Sequence, residues 1–309
     1  VLPRRCGGNP VTIRSIADIN PSTQLCAVIG NPVSHSLSPA IHNRAFQELG
    51  LDFVYLAFRV EDVGSAVAGM RALENFRGLS VTIPHKVAII GHLDEVAEVD
   101  AQIGSVNTVV NEAGVLRGFG SDGPGARQAL ADEGVDVAGE PVLILGSGGA
   151  ARAIGFDLAH HATPSSLNIL GVVEDELEDL VRDLKEKTGV EATGELLGDR
   201  SLERGIVESR VLIHATPVGM HPREDATLVP PDWMHADLAV MDIVYNPYET
   251  RLLKDARARG IKTIPGIEMF VNQALLQFEA WTGERAPRQA MKQVVLDHLT
   301  RAEGRTEKR

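Results

Sequence analysis

The sequence predicts an α/β protein of two domains: an open, mostly parallel sheet domain followed by a Rossmann dinucleotide-binding domain. Three observations lead there. Short apolar runs alternate with amphipathic helical stretches, the pattern of parallel strands joined by crossovers. A polar stretch from Asp132 to Glu140 interrupts this alternation, and a second series starts after it. At the head of that series a strand runs into a glycine turn and an apolar helix, the entry to a Rossmann fold. A length of 309 residues suits about two domains, each burying its own core.

Residues 1–23 combine prolines, the pair Arg4-Arg5 and little periodicity, so a ragged lead-in is expected, with order starting at Gln24. Leu25 to Ile29, Phe53 to Val60 and Leu79 to Ile83 are apolar runs of strand length. Between them, Ile41, Ala45, Phe46 and Leu49 share one helical face, and so do Val63, Val67 and Met70. Val106 to Val110 and Val115 to Phe119 flank the loop Asn111 to Gly114 and predict a hairpin. A helix should open near Pro124. Beyond the polar break, Pro141 to Leu145, Leu167 to Val173, Val211 to Ala215 and Ala239 to Tyr245 predict further strands. Phe270, Ala274, Phe278 and Trp281 fall on one helical stripe with Gln273 and Gln277 beside it, and Ala286 to Leu299 predicts a last helix. The charged tail, residues 301–309, is expected to be disordered. The expected domains are therefore 24–125, completed by helices of 266–300, and 126–265, with 1–23 and 301–309 as ragged ends.

Subtracting 42 acidic from 30 basic residues leaves a net charge of −12, which repels phosphate backbones and anionic lipid. Aromatic residues make up only 4%, leaving few rings to stack unpaired bases, so nucleic acid is not an expected partner. The only cysteines, Cys6 and Cys26, can build neither a disulfide framework nor a cysteine zinc site. No apolar run approaches the ~20 residues of a membrane helix, and the first residues lack a secretion signal. A soluble, cytoplasmic protein with no membrane partner is expected, monomeric or homodimeric. The start without Met reads as processed or trimmed, with a segment cut from a longer polypeptide as one alternative that the sequence does not decide. His35, His42, His85, His214 and His221 show no ligand spacing, so no metal is expected.

The turn Gly146-Ser147-Gly148-Gly149-Ala150-Ala151 follows the strand Pro141 to Leu145 and precedes the helix Ala153 to Ala159. It fits G-x-G-x-x-[G/A]: the first glycine permits the turn, the second admits a pyrophosphate, and Ala151 allows close helix packing. Amides at the helix start would face the phosphates. An S-adenosylmethionine site uses a similar loop and is the competing reading. After the next strand comes Gly171-Val172-Val173-Glu174-Asp175, with no Arg or Lys between Arg152 and Arg182. Glu174 or Asp175 gripping ribose hydroxyls would favour NAD over NADP; alternatively both acids only open the following helix, where its dipole favours them.

Ser36 and Ser38 follow the first strand. Ser38 before Pro39 reads as a helix N-cap, yet two hydroxyls at a strand's carboxyl end could also hold a substrate carboxylate. Thr82 and Lys86 leave the third strand together. A lysine there is either solvated surface or, partly desolvated, a group that donates and accepts a proton. Asp122 before Gly123-Pro124 reads as another N-cap, a task compatible with pairing to Lys86.

Taken in order, Val28-Ile29-Gly30-Asn31-Pro32 with His35 to Pro39, Val81 to Lys86, Ile103 to Thr108, Gly146 to Ala151, His214 to Met220, Asp242 to Pro247 and Gly266 to Met269 leading to Gln273 resemble the shikimate dehydrogenase family. The likeness includes the shikimate dehydrogenase part of bifunctional dehydroquinase fusions and covers about residues 24–285. The resemblance implies reversible reduction of 3-dehydroshikimate to shikimate, usually by NADPH, in aromatic amino acid biosynthesis. It implies that Lys86 is the acid-base residue paired with Asp122. It implies that Ser36 and Ser38 bind the substrate carboxylate, and Thr82, Asn107, Asp122 and Gln273 its hydroxyls, with Tyr245 near the cleft. Gly146, Ser147, Gly148, Gly149, Ala150, Thr216, Gly219, Met220 and Gly266 are implied at the cofactor.

Three departures stand out. Ser80 replaces the family's common Asn before Val-Thr-x-Pro, and Gly120-Ser121-Asp122 keeps the acid while its neighbours shrink. Gly171-Val172-Val173 replaces an Asn-Arg-Thr that clamps the 2′-phosphate, which weakens the expectation of NADP and leaves Arg152 as a substitute by proximity alone. The alternatives are a quinate/shikimate dehydrogenase preferring NAD and a non-catalytic regulator that binds a dinucleotide or metabolite.

Overall fold

The computed structural model describes residues 19–306. Cys6, most of the expected lead-in and residues 307–309 of the expected tail lie outside the described residues. The chain opens with β1 (Gln24–Gly30), α1 (Ser38–Leu49), β2 (Phe53–Arg59), α2 (Val63–Arg71) and β3 (Phe76–Val81). β2 and β3 both pair parallel to β1, so each helix is a crossover. β1 is covered on both faces, and Cys26 to Gly30 are all buried, which is why it reads as an unbroken apolar run. α1 buries Ile41, Ala45 and Phe46, accepts Pro39 in its first turn, and ends at Gly50, whose φ of 66° is left-handed.

The sheet is completed by β4 (Glu95–Val96), α3 (Glu98–Ile103), β5 (Thr108–Glu112) and β6 (Val115–Phe119), in the order β2-β1-β3-β5-β6-β4. The hairpin β5-β6 forms, but its connection is tighter than the expected loop. Only Ala113 and Gly114 turn, with φ of 54° and 93°, because two left-handed residues match the twist of the strands. Asn111 remains in β5, where its Oδ1 accepts the Gly114 N–H at 2.8 Å.

α4 (Asp122–Asp132) leads to the second sheet, made of β7 (Pro141–Leu145), β8 (Ser166–Gly171), β9 (Ala192–Leu196), β10 (Val211–His214), β11 (Ala239–Asp242) and β12 (Lys262–Ile264). Its helices are α5 (Gly149–His161), α6 (Glu174–Thr188), α7 (Asp199–Glu208) and α8 (Arg251–Ala258). All pairs are parallel and the order is β12-β11-β10-β7-β8-β9. This is the doubly wound dinucleotide order, with its switch point between β7 and β10.

α9 (Gly266–Thr282) and α10 (Arg288–Thr306) then return to the first sheet. Val271, Phe278, Trp281, Met291 and Val295 share a core with Val28, Ile41 and Phe46. Trp281 is fully buried and its Nε1 donates to the Val109 carbonyl at 3.0 Å. A Cβ on Gly78 would stand 2.3 Å from that indole nitrogen, so glycine in β3 is what lets the ring lie on the sheet.

Several expectations need correction. β3 starts at Phe76 and ends at Val81; Ile83 is 72% exposed, and the following Pro84 cannot donate to a ladder. β8, β10 and β11 end at Gly171, His214 and Asp242, short of the apolar runs that predicted them. Asp122 is the first helical residue of α4 and Ser121 occupies the cap position, while α1 is preceded by Leu37, so neither Asp122 nor Ser38 is an N-cap. The backbone of 301–306 is helical, continuing α10, where disorder was expected.

Candidate active site

A cavity of about 400 Å³ opens where the carboxyl ends of the two sheets face each other. Its walls include Ser36 and Ser38 from the β1 exit, Thr82 and Lys86 from the β3 exit, and Asn107 and Asp122. The second sheet and α9 contribute Ala150, Tyr245, Gly266 and Gln273. β5 runs antiparallel to β3 with Ser80 opposite Thr108, so the start of β5 brings Asn107 to the same edge as the end of β3.

Lys86 Nζ lies 2.5 Å from Asp122 Oδ2, with side-chain exposures of 24% and 16%. Asn107 Nδ2 donates to the other carboxylate oxygen at 2.8 Å. Asn107 is held in turn: its Oδ1 accepts from the Ser121 N–H and from the Thr108 hydroxyl, each at 2.8 Å. The carboxylate is therefore spent on an ammonium and an amide rather than on capping its helix.

Beneath the cavity runs a buried chain that sequence reasoning missed. The Tyr55 hydroxyl donates to Ser80 Oγ at 2.6 Å, Ser80 Oγ donates to Gln277 Oε1 at 2.8 Å, and Gln277 Nε2 donates to Thr108 Oγ1 at 3.0 Å. Burial pushes the Tyr55 phenol up, so it stays a donor. Ser80 and Gln277 also line the cavity. The spacing of Gln273 and Gln277 on one face was the available signal. Gln273 donates to the Phe270 carbonyl at 2.8 Å, and Tyr245 stacks on Phe270 with centroids 4.5 Å apart. Burial raises the Tyr245 phenol as well. Ser36 Oγ accepts the Ser38 N–H at 3.2 Å.

On the other wall, Gly146 turns at φ 111°, and a Cβ there would stand 2.7 Å from the Ala215 carbonyl. A Cβ on Gly148 or Gly149 would meet nothing within 4 Å, so the space over the start of α5 is open, as a pyrophosphate requires. The residues present thus fit a dinucleotide. Thr216 abuts Gly146, Gly219 turns at φ 84° and Met220 is 48% exposed. A Cβ on Gly266 would stand 2.4 Å from the Val244 carbonyl, which seats the start of α9 against the β11 exit.

At the β8 exit, Val172 and Val173 project outward, and Glu174, Asp175 and Glu176 open α6. Arg152, expected as a substitute by proximity alone, is engaged elsewhere. Its guanidinium is bound to Asp183, to the Ile103 carbonyl at 2.5 Å and to the Gln102 carbonyl at 3.2 Å, and it lies over the Phe156 ring. Among the described residues no three His, Cys, Asp or Glu side chains converge as metal ligands. Among the same residues no helix is long and apolar enough to cross a membrane.

Residues 28–109 match the family described as shikimate dehydrogenase substrate binding domain, and residues 266–296 match that described as shikimate 5′-dehydrogenase C-terminal domain. The chain is 46% identical to shikimate dehydrogenase (NADP(+)) of Methanopyrus kandleri over 285 residues, 91% of this chain and 98% of that protein. The fold is similar to shikimate 5-dehydrogenase of Listeria monocytogenes in complex with shikimate and NAD. That match has a TM-score of 0.85 and 39% identity, covering 90% of this chain and 98% of the other. It is also similar to quinate dehydrogenase of Corynebacterium glutamicum in complex with NAD, with a TM-score of 0.82 and 29% identity, covering 89% and 99%.

Proposed function

The chain belongs to the shikimate dehydrogenase family, and from that premise we propose that its cleft interconverts 3-dehydroshikimate and shikimate with a nicotinamide dinucleotide. The observation that carries the reading is the Lys86–Asp122 contact on the wall of a cavity whose opposite side reaches the glycine turn.

When bound, the nicotinamide supplies the hydride to the carbonyl carbon or takes it back. Lys86 does the complementary work at oxygen: its ammonium hydrogen-bonds the substrate oxygen, offsets the charge that develops there, and delivers the proton in reduction. In oxidation the same amine removes the hydroxyl proton. Asp122 holds the ammonium against the cavity while Asn107 holds Asp122. Ser36 and Ser38 receive the substrate carboxylate; Thr82, Asn107, Asp122 and Gln273 pair with ring hydroxyls, and Tyr245 closes the side near the second sheet. A site that pairs each hydroxyl leaves its own polar groups stranded when one is missing, which yields selectivity. Gly146 to Ala150 would hold the cofactor's pyrophosphate, and Thr216, Gly219, Met220 and Gly266 would line its nicotinamide side.

We further assign weak discrimination between NADP and NAD. Relatives carry NADP in their names, but the β8 exit here offers valines and acids instead of a cation. KM for both cofactors measures this, and a strong NADP preference would refute it. The likeness to a quinate dehydrogenase supports quinate as a second substrate, and kcat/KM for the two acids separates the readings. The decisive experiment follows cofactor absorbance with shikimate present: turnover is expected, whereas a folded protein that binds both ligands without turnover would be a regulator.

A further inference from the structure

Behind the loop after β10 lies a polar relay that the chemistry above does not use. His214, the last residue of β10, is 2% exposed, and its Nδ1 stands 2.9 Å from Asp242 Oδ1. Its Nε2 stands 2.5 Å from the Thr216 hydroxyl. Asp242, at the end of β11, is fully buried. Its Oδ1 also accepts the Val244 N–H at 3.0 Å, and its Oδ2 accepts the Thr250 hydroxyl at 2.6 Å. Thr216 Oγ1 accepts the Val218 N–H at 3.2 Å.

These partners assign the protons. Thr250 Oγ1 accepts the Leu253 N–H at the start of α8, so its own hydrogen goes to Asp242. The carboxylate takes its third hydrogen from His214 Nδ1, which makes Nε2 the acceptor for Thr216, the logic by which a carboxylate fixes a histidine tautomer. Every polar atom of the relay then has a use.

The two ends of the relay lie beside different parts of the cleft. Thr216 Cγ2 lies 3.3 Å from where a Cβ on Gly146 would stand, so the threonine methyl faces the nucleotide turn while its hydroxyl is tied to His214 and to the Val218 N–H. Val244 immediately precedes Tyr245, whose ring lines the substrate cavity. We propose that His214 and Asp242 are positioning residues: their buried bond ties the cofactor-side loop to the substrate-side Tyr245 and sets the register between the two ligands. The inference rests on the nicotinamide-linked reading above.

The test uses Thr216→Val, Thr216→Ser, His214→Phe and the double variant, with NADP and NAD affinity read by calorimetry and kcat by turnover. Thr216→Val and His214→Phe should each weaken binding of the preferred cofactor about tenfold, the loss of one buried hydrogen bond. The double variant should be no worse than the poorer single within about twofold, because both remove the same link. Thr216→Ser, which keeps the hydroxyl, should restore binding to within about threefold of the wild type. Additive losses, or wild-type binding by Thr216→Val, would overturn the proposal. If His214→Phe does not fold, Asp242→Asn takes its place in the same cycle with Thr216→Val, and additive losses would again overturn the proposal. A wild type that binds cofactor without turning shikimate over would instead sink the dehydrogenase reading, while the affinities still judge the relay.

Discussion

Lys86 Nζ and Asp122 Oδ2 meet at 2.5 Å although 36 residues separate them in the chain. The meeting is made by topology: the β3 exit carries the amine, and the hairpin β5-β6 returns the chain so that α4 begins beside it. Each charge is partly withdrawn from water, so each depends on the other for compensation.

Lys86→Ala should lower kcat by about 10² to 10⁴-fold, the usual worth of a positioned acid-base group. Circular dichroism and cofactor calorimetry should match the wild type. Full kcat in a folded variant would remove Lys86 from the proton transfer.

Ser36→Ala and Ser38→Ala should each raise KM for shikimate by about tenfold or more, since a hydrogen bond to a charged group contributes about 1.5–3 kcal/mol. Cofactor affinity should not move. An unchanged KM in both would mean that the carboxylate lies elsewhere in the cavity.

Val173→Arg puts a guanidinium at the β8 exit, where Val173 is 47% exposed. The ratio of kcat/KM for NADP to that for NAD should rise by about tenfold, as a charge-assisted contact to the 2′-phosphate forms. A constant ratio would show that this exit does not meet the 2′-phosphate.

His42 should make the fold sensitive to acid. It is fully buried, with Tyr55 4.6 Å and Trp281 5.0 Å away between ring centroids. Burial pulls its pKa down from 6.5 to about 3, tempered by Gln277. The folded chain keeps the ring neutral while the unfolded chain protonates it below about pH 6.5, so its contribution is complete above that pH. It is lost progressively as pH falls toward about 3, at no more than about 1.4 kcal/mol per pH unit. Urea midpoints across this window should fall less steeply for His42→Phe than for the wild type, and equal slopes would count against the assignment.

The sequence pattern carried the two-sheet α/β architecture and the strand–glycine–helix entry to the second sheet, because apolar periodicity and the glycine turn are local signals. Strand ends were less legible. Val172 and Val173 extend an apolar run but are exposed, since hydrophobicity does not say where a ladder's last hydrogen bond falls. β4, β9 and β12 were not anticipated: Glu95–Val96 is two residues long, and β9 buries only Ala192. At the site, motif likeness pointed to Lys86 and Asp122, whereas the helical spacing of Gln273 and Gln277 showed a polar face of α9 but not its partner Ser80, 197 residues away from Gln277. The same holds for Asp242, whose partner His214 belongs to the neighbouring strand.

The return of α9 and α10 to the core of the first sheet means that no single cut of the polypeptide yields two separable halves. A protease nick in the polar stretch between α4 and β7 would leave fragments that still embrace, Trp281 of one lying over Gly78 of the other. Such a nicked protein should elute as one species from a sizing column and come apart only in denaturant.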